Sequence, residues 1–258
     1  MPILLIGIFF SSCKKTGKDM IVKEPVYVTP ASNLIYEETF EGPTPFSTAH
    51  SVEVGAWDYA LQFGQPAFQG QKSARFEIRE DQELVKDGKR AEACIVKGSL
   101  GHITKETWYS YAVLCPAIGF EYDTDREVIN QWYQNGSPSL TIRTEEDRFL
   151  LECGNTPDNR EQYDLGPIVK DKWSEFVLHV IHSFGSDGLV EIWRDGTKVL
   201  TVNGGNMYDD ILPKFKVGLY KSGFKYDLSL VDRRVIYFDN VRVGNSNASF
   251  HDMTSLYK

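Results

Sequence analysis

The sequence predicts an all-β fold: two antiparallel sheets packed face to face as a sandwich or jelly roll, with one sheet curved into a concave groove. Three observations predict it. Short alternating runs bounded by turn residues follow one another from Asn33 onward, stretches with helical periodicity are scarce, and the chain is rich in aromatic residues, with 13 Tyr, 15 Phe and 5 Trp, which suit a pleated surface. Strands with no helices between them must bury their apolar faces against a second sheet. At 258 residues the chain falls in the size range of a one-domain sandwich, expected here over residues 33–250.

The N-terminus, "MPILLIGIFFSSCKK", is an apolar run too short to span a bilayer and reads as the h-region of a signal peptide over residues 1–13. Cys13 follows two serines and resembles the lipobox cysteine of bacterial lipoproteins. That resemblance implies lipidation of Cys13 and an exported lipoprotein of the periplasm or outer membrane, which meets the membrane through its anchor alone. Residues 14–32 then read as a tether.

The first informative strand is "SARFEIR", residues 73–79. Side chains in a strand alternate between faces, so Arg75, Glu77 and Arg79 share one side while Phe76 and Ile78 share the other. A second arginine–glutamate pair, Arg90 with Glu92, follows in "GKRAE". Further strands are expected at "WYSYAVLCP", "EVINQWYQ", "SLTIRTEEDRFLLEC", "SEFVLHVIHSF", "FKVGLYKSG" and "RRVIYFDNVRVG", with a hairpin in "LVEIWRDGTKVLTV" turning at Asp195-Gly196. "GNMYDDILPKF" is expected to supply one short helical turn before its proline.

The balance of 28 basic against 36 acidic residues, net −8, with no dense Lys/Arg stripe, argues against a nucleic-acid partner. Beyond Cys13 the cysteines are Cys94, Cys115 and Cys153. None has a metal-ligand spacing, and in an exported protein one pair is open to oxidation. No cofactor is expected, and no Asp-rich loop makes a case for structural calcium.

Three stretches in order carry a resemblance. "RFEIR" (75–79) with "GKRAE" (88–92), "VINQWYQNGSPSLTI" (128–142), and "VGLYKSGFKY" (217–226) running on to "VIYFDNVRVG" (235–244) resemble the strand motifs of jelly-roll polysaccharide lyases. The group includes alginate lyases, and the likeness is strongest to the glucuronan lyase and heparin lyase I branch. Tyr133 stands where the family usually has histidine after Gln-Trp. Lys225 stands where alginate lyases have the tyrosine of a Lys-Ala-Gly-x-Tyr motif, with Tyr226 one place on.

The resemblance implies β-elimination on a uronic-acid-containing polysaccharide by a monomer whose partner is an anionic polymer. Three tasks follow: neutralise the C6 carboxylate, remove the C5 proton, and protonate the leaving O4. Arginine pairs with carboxylate through two hydrogen bonds and an amide can donate to the same group, which gives Arg75 and Gln131 the first task. Arg79 and Arg90 are expected as further groove contacts, and Glu77 as the acid that holds an arginine in place. A phenol beside positive charge suits the proton transfers, and Tyr133, Tyr220 and Tyr226 compete. Gln131 and Tyr133, two apart on one strand, face the same way. Tyr220 and Lys221 face opposite ways, and the family pattern favours Lys221 in the groove with Tyr226 reached through the loop. His50 is a replacement base if it reaches the groove. His179 and His182 fall on opposite faces of one strand.

Two other functions fit a sandwich of this kind. A glycoside hydrolase needs paired carboxyl groups, and the Glu-x-Asp-x-x-Glu string of laminarinase-like enzymes is missing; Glu191 and Asp195 lie in a hairpin instead. A carbohydrate-binding module would keep the groove and lose the chemistry.

Overall fold

The computed structural model describes residues 32–134 and 136–256. The signal peptide, Cys13 and the tether up to residue 31 lie outside the described residues. Strands run in the order β1 (Leu34–Glu38), β2 (Ser51–Glu53), β3 (Leu61–Gly64), β4 (Ser73–Arg79), β5 (Arg90–Lys97), β6 (Glu106–Leu114), β7 (Glu127–Gln134) and β8 (Ser137–Glu145). They continue with β9 (Arg148–Gly154), β10 (Arg160–Pro167), β11 (Trp173–Ile181), β12 (Leu189–Arg194), β13 (Thr197–Asn203), β14 (Lys214–Tyr220) and β15 (Arg233–Gly244).

These form the two antiparallel sheets of a jelly roll. The first has the order β13-β12-β11-β6-β15-β4-β3, with β1 also paired to β15, and the second has β10-β9-β8-β7-β14-β5-β2. The tightest connections follow local chemistry. Glu146-Asp147 (φ 48° and 57°) and Asp195-Gly196 (φ 49° and 81°) place two successive residues in the left-handed region, the geometry whose twist matches a two-residue hairpin.

The core lies between the sheets. Tyr109 of β6 meets Trp132 of β7 edge-on, with ring centroids 5.1 Å apart, and Phe215 of β14 at 4.6 Å. Phe76 and Ile78, expected to face inward from β4, are fully buried. The described residues from Ser32 onward form one compact unit.

Two expectations are corrected. "GNMYDDILPKF" makes no helical turn: its polar groups are used elsewhere, the Tyr208 N–H donating to Gln134 Oε1 at 2.9 Å and the Asn206 amide to the Ile181 carbonyl at 2.9 Å. Among the described residues the α-helix is instead α1 (Phe250–Met253), started by a capping box of Ser249 and Asp252. Behind it Thr254 and Ser255 are buried against Glu175. Cys94, Cys115 and Cys153 are all free and buried, so no pair is oxidised.

Candidate active site

The outer face of the second sheet carries four of the predicted polar residues, Arg90, Gln131, Tyr133 and Tyr220. Phe215, Val217 and Leu219 of β14 enter the core, which turns Lys214, Lys216 and Tyr220 outward. Gly218, opposite Glu92 at φ 130°, has no room for a side chain: a Cβ there would lie 2.3 Å from the Ala91 carbonyl oxygen. Lys216 stands opposite Gln131 of β7 on one side and Cys94 of β5 on the other. Tyr220 stands opposite Val128 and Arg90. The result is a cavity of about 390 Å³ lined by Arg90, Gln131, Tyr133, Arg143, Arg160 and Tyr220 among others.

Beneath it lies a network of ion pairs. Lys216 Nζ is 2.6 Å from Glu53 and 3.7 Å from Glu92, Arg90 Nη1 is 3.1 Å from Glu92 and 3.5 Å from Glu53, and Lys86 Nζ is 3.0 Å from Glu53. Gln131 Nε2 donates to the other oxygen of Glu92. Burial pushes the Glu92 carboxyl above the ordinary carboxylate range, with Lys216 and Arg90 opposing it only in part. For Glu53 burial also pushes up, but the hydrogen bonds and charges of Lys216 and Lys86 outweigh it and hold the group below its ordinary range. Both phenols sit beside cations. The Lys214 and Lys216 ammonium groups are each 5.5 Å from the Tyr133 ring centroid, and the Arg90 guanidinium is 4.8 Å over the Tyr220 ring.

The structure thus brings together Arg90, Gln131, Tyr133 and Tyr220, and it separates the rest. Arg75, Glu77 and Arg79 do share one face, with both arginines paired to Glu77. That face is the outer side of the first sheet, across the sandwich from Gln131. Alternation along β4 reveals a face; it does not reveal which sheet owns the strand. Arg79 lies over the Tyr59 ring at 3.9 Å on that side.

Lys221 turns inward and is fully buried, with Asp123, Asp125 and Glu127 at 3.0, 2.8 and 2.9 Å. Arg234 of β15 approaches Glu127 at 3.2 Å, so the cluster ties one sheet to the other. Burial pulls the Lys221 ammonium down, and Glu127 and Asp125 more than offset it, so the group stays charged. Tyr226 is exposed on the loop after β14 and does not line the cavity, although the neighbouring Lys225 donates to the Asp87 carbonyl on its border. His50 packs beside His102, outside the lining.

Sequence reasoning missed Glu53, Lys216, Arg143 and Arg160. For Lys216 a signal was present. The string Lys216-Val217-Gly218-Leu219-Tyr220 has the Lys-x-Gly-x-Tyr spacing that the sequence comparison set five residues later.

The sequence profile described as polysaccharide lyase matches residues 40–242. The chain belongs to the polysaccharide lyase family. No curated protein sequence matches it. Among solved structures, the endo-β-1,4-glucuronan lyase from the fungus Trichoderma reesei superposes on this family member with a TM-score of 0.67 at 16% identity, over 85% of this chain and 98% of that one. The marine alginate lyase from Aplysia kurodai gives 0.52 at 15%, over 81% and 98%. The catalytic domain of a glycoside hydrolase family 131 protein from Coprinopsis cinerea gives 0.58 at 12%, over 84% and 96%. At these identities the likeness establishes the jelly roll, which hosts more than one chemistry. Among the described residues no group of three His, Cys, Asp or Glu is arranged to hold a metal ion.

Proposed function

We propose that this member of the family cleaves a uronic-acid-containing polysaccharide by β-elimination. The observation that carries the reading is the convergence of Arg90, Gln131, Tyr133 and Tyr220 on one cavity, with a cation beside each phenol. Arg90 takes the neutralising task expected of Arg75, and it shares that task with Gln131. Hydrogen bonding to the C6 carboxylate acidifies the C5 proton, because charge that develops at C5 is drawn into the carboxylate. Tyr133, as phenolate, takes that proton. The released electron pair forms the C4=C5 double bond, the C4–O4 bond breaks, and Tyr220 gives its phenolic proton to O4. Glu92 holds Arg90 and Gln131 in place, and Lys216 keeps positive charge below the reacting sugar. The solved glucuronan and alginate lyases of the same fold, and the three motif stretches of the sequence, support a polyanionic substrate. The lipobox-like N-terminus supports export and lipid anchoring at Cys13.

The test follows the ultraviolet absorbance of the unsaturated uronate with purified residues 20–258, against a panel of uronate polymers. Tyr133→Phe and Tyr220→Phe should each lower kcat by about 10²-fold or more, with thermal unfolding unchanged. No product from any polymer, with binding retained, would replace this reading with a carbohydrate-binding module.

A further inference from the structure

At the end of the cavity away from Lys216, three arginines converge on a single carboxylate. Arg143 Nε of β8 lies 2.7 Å from Glu152 of β9, Arg160 Nη1 of β10 lies 3.1 Å from it, and Arg126 Nη1 lies 3.4 Å from its other oxygen. Glu152 is nearly buried. One carboxylate balances one guanidinium, so two positive charges are left over. The Lys216 end differs, because there Lys86, Arg90 and Lys216 face both Glu53 and Glu92.

Holding the fold together does not need this excess. One arginine would satisfy Glu152, and each further one adds repulsion: burial, together with Arg126 and Arg160, pulls the Arg143 guanidinium below the ordinary arginine range against the attraction of Glu152. Among the described residues Arg143 donates within the chain through Nε alone, which leaves its Nη groups without a protein acceptor. Arg143 and Arg160 both line the cavity that holds Gln131 and Tyr133. Gln131 pairs with Thr141 across the sheet, and Arg143 is two residues further along β8. The two Cα positions are therefore separated by about 8 Å from strand rise and strand spacing, a distance of sugar-residue order.

We infer that Arg143 and Arg160, with Arg126 at the rim, form a second anion subsite for the carboxylate or sulfate of the sugar next to the one undergoing elimination. The inference rests on the β-elimination reading and adds to it a demand on the polymer: acidic groups on adjacent sugars. A planar guanidinium pair is suited to either oxyanion, and Glu152 fixes the arginines so that little ordering is needed on binding.

The experiment compares three polymers: uronate at every sugar, uronate alternating with a neutral sugar, and uronate alternating with a sulfated sugar. It uses the full-length protein, Arg160→Gln and the more exposed Arg126→Gln. Wild type should prefer polymers with adjacent acidic groups. Arg160→Gln should raise KM for these about 10-fold or more, leave kcat within about twofold, and barely change KM for the neutral-alternating polymer. Arg126→Gln should do the same more weakly, and a matching loss on the sulfated polymer identifies sulfate as the anion taken. Equal KM changes on all three polymers, or none on any, overturns the subsite. If no polymer is cleaved the elimination reading falls, and calorimetric binding of acidic oligosaccharides then decides the subsite: weaker binding by Arg160→Gln upholds it, and unchanged binding overturns it.

Discussion

Replacing Lys221 with methionine separates two roles for this residue, a groove contact as the sequence suggests or an anchor as the structure shows. The ammonium is fully buried with three carboxylate partners at 2.8–3.0 Å. Lys221→Met keeps most of the volume and removes the charge, so Asp123, Asp125 and Glu127 are left with Arg234 as their remaining close cation. Breaking a buried pair from one side costs about 3–5 kcal/mol, because a charge stays buried without compensation. Domains of this kind have roughly 5–15 kcal/mol in all. At about 2–4 °C per kcal/mol for a domain of this size, the melting temperature should fall by roughly 6–20 °C. Urea unfolding followed by tryptophan fluorescence reads the same loss as a lower midpoint with unchanged slope. Adding Glu127→Gln should recover part of it, since that removes one of the orphaned charges. An unchanged midpoint combined with a raised KM would refute the reasoning and return Lys221 to the groove.

Two further predictions follow from the same geometry. Arg75→Gln lies on the opposite sheet and should leave kcat and KM for any uronate polymer within about twofold in the absorbance assay; a 100-fold loss of kcat would restore Arg75 to the chemistry. His182 is fully buried with the Tyr109 hydroxyl 2.8 Å away, and burial lowers its pKa to about 3. An imidazole depressed from its ordinary 6.5 contributes stability that is fully present above pH 6.5 and is lost as pH falls toward 3. Between pH 6.5 and 5 the loss is about 2 kcal/mol at 1.36 kcal/mol per unit. Urea midpoints at both pH values should show wild type losing that much relative to His182→Gln, and parallel pH dependences would contradict it.

Much of the fold was legible because antiparallel strands write their pleat into the sequence. β7 and β15 appear with the bounds that alternation marks, and Phe76 and Ile78 go to the core. The site was legible where its residues share a strand, as Gln131 and Tyr133 do. It was misread where membership of a sheet decided the outcome. Arg75 and Arg90 carry the same local pattern, yet β4 and β5 belong to different sheets, a fact set by pairing partners more than 100 residues away. Lys221 was misread for a related reason: one residue past Tyr220 the side chain points inward, and the acids that receive it, Asp123, Asp125 and Glu127, are distant in sequence. Arg143, Glu152 and Arg160 come from three consecutive strands, so no single stretch displays them as a group.

The order of strands bears on how the chain reaches this state. In the first sheet β15 lies between β6 and β4, and in the second β14 lies between β7 and β5. Both central strands are made late. A nascent chain that has not reached residue 214 therefore holds each sheet in two halves, with bare edges on β4, β5, β6 and β7 and no partner for their backbone groups. Closure waits for the last two strands, and with pairings this distant in sequence it is slow by nature. Until then the halves expose surfaces prone to pairing with other chains. A translation pause or truncation just before β14 would be costly in this protein, whereas one after β15 would find both sheets already closed.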